Sequence, residues 1–272
     1  MEAIDSFTRN CRYRSGSSAR VLNWLDSQPP TTVAGSVWRH LRWRVGGLVE
    51  LLGNRVALDG CRFIVDDAYI PSATKGYMLL GLHENLERYA VRTFLDPGAP
   101  VLECGAAFGV VSCITNRRLA CPRRHVVVEP NPRLLGLLEA NRDLNRCAFD
   151  IVPAAIGYGQ SHLDLTITAD PLGSGVKGQQ GTSVRVPVRS VGSLLEEYDF
   201  RDATLICDIE GAECDMVTFD AGSLAARVKD LVLEVHDEIV GEAANRRMFN
   251  QLCAAGFSPV WNDGSVHVWR RT

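Results

Sequence analysis

The 272-residue chain is predicted to be an α/β protein with a mostly parallel sheet and helices on both faces. Two observations carry this. From residue 101 onward short apolar runs alternate with stretches of helical spacing. Residues 1–95 lack that alternation and read as loops, helices and a hairpin. We therefore expect an N-terminal extension over 1–95, making cap, substrate or dimer contacts, and a main domain over 96–272.

In the extension, "SGSS" (15–18) and "SQPPTT" (27–32) are loop signals. "VWRHLRWRVGGLVELL" (37–52) fits an amphipathic helix interrupted at Gly46-Gly47. Its Arg39, Arg42 and Arg44 with Trp38 and Trp43 suit an acidic surface, though a solvated face with two packed indoles explains them more simply. "RVALDGCRFIVDD" (55–67) alternates about Asp59-Gly60, a strong hairpin signal. "HENLERYAVRTFL" (83–95) reads as a helix leading to the turn "DPGAP".

The main domain opens with the strand "VLECG" (101–105) and a helix over 110–120. The strand "HVVVEP" (125–130) precedes a helix over 132–145, with Pro132 at a favoured first position. "FDIVPAAIG" (149–157) is a third strand. "LDLTIT" and "VRVPV" bracket the glycine-rich "DPLGSGVKGQQGTS" (170–183), which reads as a mobile lid or a plain exposed loop. A short helix over 191–198, a strand over 203–208, a helix from about Ala212 and a strand over 230–236 continue the alternation. A helix over 241–257 stops at Gly256, and "SPVWN" with "SVHVWRR" closes as an antiparallel pair.

Apolar residues make up 46% and the net charge is −3, which gives no general attraction for nucleic acid. No run of 18 apolar residues occurs, so no membrane span is expected. The start lacks a signal-peptide core. Nine cysteines, without a CxxC pair, point to the reducing cytoplasm.

Ligands of such sheets bind beyond the carboxyl ends of the strands, so the residues there matter most. Gly105 and Gly109 in "ECGAAFG" allow a tight turn and close approach of a ligand, but the spacing misses GxGxxG. Glu103 precedes that turn, where an acid suits a cationic ligand end better than a pyrophosphate. Glu129 ends the next strand, where a carboxylate accepts from ribose hydroxyls. A ribose and a positively charged amino-acid end together describe S-adenosylmethionine.

"VLECGAAFGVVS", "VVVEPNPRLLGLLEANRDLN", "VPAAIG", "LICDIEGAECDMV" and "LVLEVH" follow one another in the order and spacing of the FkbM-type S-adenosylmethionine-dependent methyltransferases, which residues 78–260 resemble. The resemblance implies the class I, Rossmann-like methyltransferase fold with a seven-stranded sheet. It also implies O-methylation of a sugar, glycoside or natural product. By position it implies that Glu103, Gly105, Ala106 and Gly109 line the methionine end of the cofactor. Glu129 would hold the ribose, Pro130 and Asn131 the adenine, and Ala155 its edge. Glu84 would touch the cofactor as well. Cys207 and Ala107 depart from the residues usual in the family, lysine and asparagine.

Methyl transfer to oxygen needs alignment and a destination for the hydroxyl proton. Asp208, with Glu210 beside it, and His236 end adjacent predicted strands. In one mechanism His236 is the base, a role that an unperturbed histidine, titrating near pH ~6.5, suits, and Asp208 orients substrate or donor. In the other, Asp208 with Glu234 or Asp237 binds Mg²⁺ that coordinates acceptor oxygens. Glu213 falls at a helix start and is expected only to complement the helix dipole. The competing classes are an N-methyltransferase of the same fold, a non-catalytic cofactor-binding subunit, and a nicotinamide oxidoreductase. The last would leave "DIEGAE" unexplained. A hydroxylated small molecule and a second copy of the chain are the expected partners.

Overall fold

The structure is a computed structural model and describes residues 32–66, 70–168 and 181–272. Helix α1 (Val33–Leu51) runs unbroken through Gly46-Gly47, which corrects the expected interruption. A Cβ on Gly46 would lie 1.7 Å from the Ser72 carbonyl oxygen, and one on Gly76 2.3 Å from the Arg42 carbonyl oxygen. The glycines serve close packing of α1 on α2 (Ser72–Leu79) rather than a break. Of the two indoles expected to pack, Trp38 is buried and Trp43 is exposed.

Strands β1 (Arg55–Leu58) and β2 (Cys61–Ile64) form the expected hairpin. Asp59 and Gly60 both take positive φ, 48° and 81°, as a tight two-residue turn requires. The next helix is α3 (Asn85–Phe94). Strand β3 (Val101–Cys104) with α4 (Val110–Asn116), β4 (His125–Val128) with α5 (Pro132–Leu144), and β5 (Asp150–Val152) then alternate as predicted. Asn131 caps α5 by accepting from the Arg133 N–H, and Pro132 takes the first turn.

The third strand is split. After β5 and Pro153, residues Ala155–Ile156 (β6) leave the main sheet. They pair with β8 (Thr182–Arg189), which pairs with β7 (His162–Ile167) in a small second sheet. Proline has no N–H to continue the ladder, which favours the break there. The glycine-rich segment expected at 170–183 lies outside the described residues up to 180.

Helix α6 (Val191–Glu197), β9 (Ala203–Cys207), α7 (Glu213–Arg227) and β10 (Val228–Glu234) follow. A short α8 (Asp237–Val240), not foreseen, leads to α9 (Glu242–Ala254) and the antiparallel pair β11 (Phe257–Asp263) and β12 (Val266–Arg271). The main sheet has seven strands in the order β11-β12-β10-β9-β3-β4-β5. Strands β5, β4, β3, β9 and β10 are parallel, and β12 runs against β10.

Alternation along the strands feeds two cores. Leu102, Val126, Leu205 and Leu231 pack with α6, α7 and α9, while Val101, Ile206 and Val232 face α3 and the opposite layer. The hairpin joins that opposite layer, where Phe63 and Val65 share a core with Phe108, Leu134 and Leu138. Asn141 of α5 and Asn145 just after it accept from the Ile64 and Arg62 N–H groups at 2.7 and 2.9 Å and return bonds to the same residues' carbonyls. The open edge of β2 is thereby closed.

Candidate active site

Strand order reverses between β3 and β9, and a cavity of about 250 Å³ opens beyond the carboxyl ends of β3, β4 and β9. Backbone brings its walls together. Gly105 takes φ 87°, and a Cβ there would lie 1.7 Å from the Asp208 carbonyl oxygen. The Asp208 N–H donates to the Cys104 carbonyl at 2.9 Å. The β3 turn and the end of β9 thus touch, and only glycine fits between them.

One side of the cavity is built on Glu129. Its Oε2 accepts from the Ala107 N–H and its Oε1 from the Asn131 N–H, both at 2.7 Å. Burial pushes this carboxyl up to about 7 despite those donors. Pro130, Asn131 and Leu134 continue that wall, and Ala154, Ala155 and Ile156 with Leu163 and Leu165 of β7 make an apolar slot.

The other end is acidic. Glu84, Asp208 and Glu210 line it, with Ile209 and Ala212. Glu84 stands in the left-handed region, φ 49°, at the start of α3, and burial with the nearby Glu103 charge raises its carboxyl to about 8. His83 beside it stacks on Phe108, 5.3 Å between ring centres and 13° from parallel. Burial and Arg88 hold its imidazole neutral, down to about 3.

Four buried side-chain polar atoms around this one cavity make no hydrogen bond: Glu84 Oε2 and Asn131 Nδ2, and also His83 Nε2 and Asp208 Oδ1, which stand 3.4 Å from Glu84 Oε1 and His236 Nε2. Each such atom costs about 1–3 kcal/mol when left unpaired. They fit a ligand carrying polar groups along its length. S-adenosylmethionine is of that kind, with a ribose for Glu129, a flat base for the apolar slot and a charged amino-acid end for the acids.

Behind the acidic end lies His236. Its Nε2 stands 3.4 Å from Asp208 Oδ1 and 3.7 Å from Glu210 Oε2, and its Nδ1 is 3.3 Å from Glu213 Oε1. Burial works to lower the imidazole, but Glu213, Asp208 and Glu210 outweigh it and raise it to about 9. These three carboxylates favour the imidazolium form, which weighs against the expected role of His236 as the general base. The Asp208 carboxyl is pushed well up, first by burial and then by Glu234, with His236 opposing.

Glu213 does more than complement a helix. It is buried, its Oε1 accepts from the Ile209 N–H at 2.9 Å, and it holds the far side of His236.

Several residues expected at the cofactor lie outside the cavity. Glu103 points under α4, accepting from Ser112 Oγ and standing 3.2 Å from His125 Nε2, and so stands outside this cavity. Ala106 is buried in the core and Ala107 lines the cavity instead. Gly109 starts α4 in the left-handed region, φ 87°, under Leu138, and shapes the turn from outside the cavity. Asp237 accepts from Asn245 Nδ2 and lies outside the cluster in which Asp208, Glu234 and His236 offer ligand atoms within 4.8 Å of one another.

Sequence reasoning missed His83, Leu134, Leu163, Leu165 and Ile209 as lining residues. Alternation in "LDLTI" marks Leu163 and Leu165 as one face of a strand, but nothing local says what that face meets.

Residues 103–259 match the family described as the methyltransferase FkbM domain, which is more than half of the chain. Comparison with curated proteins gives no match. Among solved structures, the methyltransferase FkbM of Methylobacillus flagellatus KT is 12% identical, with 86% of this chain and 60% of that one covered, at a TM-score of 0.41. The magnesium protoporphyrin IX methyltransferase of Synechocystis PCC 6803, solved with bound SAM, is also 12% identical, covering 70% and 77%, at 0.42. A protein of the NADB-Rossmann superfamily from Streptococcus agalactiae is 15% identical, covering 68% and 67%, at 0.44.

Proposed function

Because the chain belongs to the FkbM family of S-adenosylmethionine-dependent methyltransferases, we propose that it methylates oxygen on a hydroxylated small molecule, such as a sugar, a glycoside or another natural product. The observation that carries the reading is the line Asp208–His236–Glu213 at the acidic end of the cavity.

S-adenosylmethionine bound there supplies an electrophilic sulfonium methyl group. Glu129 takes the ribose hydroxyls, the slot of Ala155, Ile156 and Leu163 the adenine, and Glu84 the ammonium of the amino-acid end. Asp208 and Glu210 orient the acceptor hydroxyl, and the Asp208 carboxylate receives its proton. The raised Asp208 carboxyl is a stronger base than an ordinary aspartate. The His236 imidazolium keeps it ionised between turnovers, and Glu213 keeps His236 charged and in place.

A second reading assigns a divalent cation, Mg²⁺ foremost, to Asp208, Glu234 and His236, favoured by their mutual distances. The cation would take acceptor oxygens and lower the hydroxyl pKa. The acidic rim and the net charge of −3 disfavour a phosphate-rich partner such as nucleic acid.

The test is a labelled-methyl screen of sugars, glycosides and polyketide alcohols. Asp208→Asn is expected to lower kcat by about 10²–10⁴-fold while donor affinity changes little. Turnover that collapses in EDTA and returns with Mg²⁺ selects the cation reading. Methylation confined to amines makes the chain an N-methyltransferase and refutes the proposal. A chain that binds the donor yet turns over no acceptor is a cofactor-binding subunit.

A further inference from the structure

Helix α1 has two apolar faces, and among the described residues only one is packed. Trp38 and Val49 are buried on the side that meets α2. Val33, Val37, Leu41, Leu48, Leu51 and Leu52 are 48–86% exposed. At 3.6 residues per turn these six fall within one arc of about 100°, in a stripe about 28 Å long. Single exposed apolar residues are ordinary, but six on one arc over this length mark a docking surface.

Charge selects the occupant. On α1, Arg44 lies within the stripe and His40 at its margin, whereas Arg39 and Arg42 fall on the other side, Arg42 against Tyr77, and Glu50 is the one acid. Glu50 is engaged by Ser72 Oγ at 2.6 Å and Lys75 Nζ at 3.1 Å. Up to residue 55 the chain has eight arginines and four acids, whereas the remainder has twenty-one bases and twenty-eight acids. The stripe thus sits in the basic part of an acidic protein.

Arg44 falls inside the stripe near its midpoint. Pairing the stripe with that of a second copy, parallel or antiparallel, sets Arg44 against the partner's Arg44, which repels. An anionic headgroup layer meets the same arginine favourably, because its stem lies along the apolar surface while the guanidinium reaches phosphate. Trp43, 54% exposed on the flank, suits the headgroup level. No helix among the described residues is long and apolar enough to cross a membrane, so the contact is peripheral.

We propose that the exposed face of α1 docks on an anionic phospholipid surface, with Val37, Leu41 and Leu48 inserted between headgroups.

The test is co-sedimentation of the full chain with phosphatidylcholine vesicles, with and without phosphatidylglycerol. Binding to anionic vesicles is expected, falling roughly fivefold or more on neutral ones, since each cation near such a surface contributes a factor of about five. The double variant Leu41→Glu/Leu48→Glu is expected to lose vesicle binding with unchanged thermal unfolding, because both side chains are half exposed. Absence of wild-type binding to anionic vesicles overturns the proposal. Light scattering then says what replaces it. A dimer made monomeric by the double variant assigns the stripe to a second copy. A monomer throughout assigns it to neither a bilayer nor a second copy.

Discussion

Two acids of similar sequence context have opposite fates. Glu103 and Glu129 each end or nearly end a strand, yet Glu129 lines the cavity and Glu103 is sealed beneath α4. Alternation alone does not separate them, because Glu103 pairs with Val127 and Glu129 comes two residues later, on the same side by strict alternation. Glu103 shares the face of Val101, whereas Glu129 lies beyond the last paired residue of β4, where the backbone has turned. The position of Glu129 was legible in "EPNP"; the direction of Glu103 was not.

Glu129 also gives a pH prediction. Its carboxyl is raised from 4.5 to about 7, so between those values the native state binds a proton that the unfolded chain has released. Stability of the ligand-free protein is therefore expected to fall as pH rises from 4.5 to 7, by a few kcal/mol at about 1.4 kcal/mol per unit. Thermal unfolding of Glu129→Gln should show a shallower loss between pH 5 and 7.5 than wild type. Parallel profiles would place the titration elsewhere. Glu213→Gln tests the line behind Asp208. Removing the buried counter-ion lowers the His236 pKa, so the alkaline limb of the kcat/KM profile is expected to move to lower pH. An unmoved limb would mean that Glu213 only braces its helix.

Elements were far more legible than side-chain directions. Hairpin, alternation and the Pro132 start follow from local chemistry, and their boundaries lie close to those predicted. Failures came where a distant segment decides. Gly46-Gly47 reads as a helix break because glycine disfavours helices by about 1 kcal/mol, but α2 lies against Gly46. The split at Pro153 depends on β8, which arrives some thirty residues later.

The two adjacent glycines should respond oppositely to alanine. Gly47 has open space around it, so Gly47→Ala is expected to stabilise by up to about 1 kcal/mol. A methyl on Gly46 meets the Ser72 carbonyl, so Gly46→Ala should destabilise and loosen α1 from α2. Denaturant midpoints of both variants check this, and equal shifts would contradict the packing role of Gly46.

At the scale of the whole molecule, strand order places the site. Reversal between β3 and β9 leaves a crevice, and β4, β9 and the turn before α3 bring Glu129, Asp208 and Glu84 to its rim. The fold class was readable because alternation is periodic. The apolar slot was not, because β7 belongs to a second sheet whose place depends on tertiary contacts. Charge is also divided at this scale: cations outnumber acids up to residue 55, acids outnumber cations after it, and Glu84, Glu129, Asp208 and Glu210 line the cavity.

The central claim is that this cavity binds S-adenosylmethionine with Glu129 on the ribose. Calorimetric titration of the full chain and of Glu129→Ala with S-adenosylmethionine, and with NAD as the rival, tests it most directly. We predict saturable 1:1 binding of S-adenosylmethionine, weakened at least about tenfold in the variant, as loss of a charged hydrogen-bonding partner worth about 1.5–3 kcal/mol implies. Tight NAD binding without a response to S-adenosylmethionine, or equal affinity in both proteins, would contradict the account.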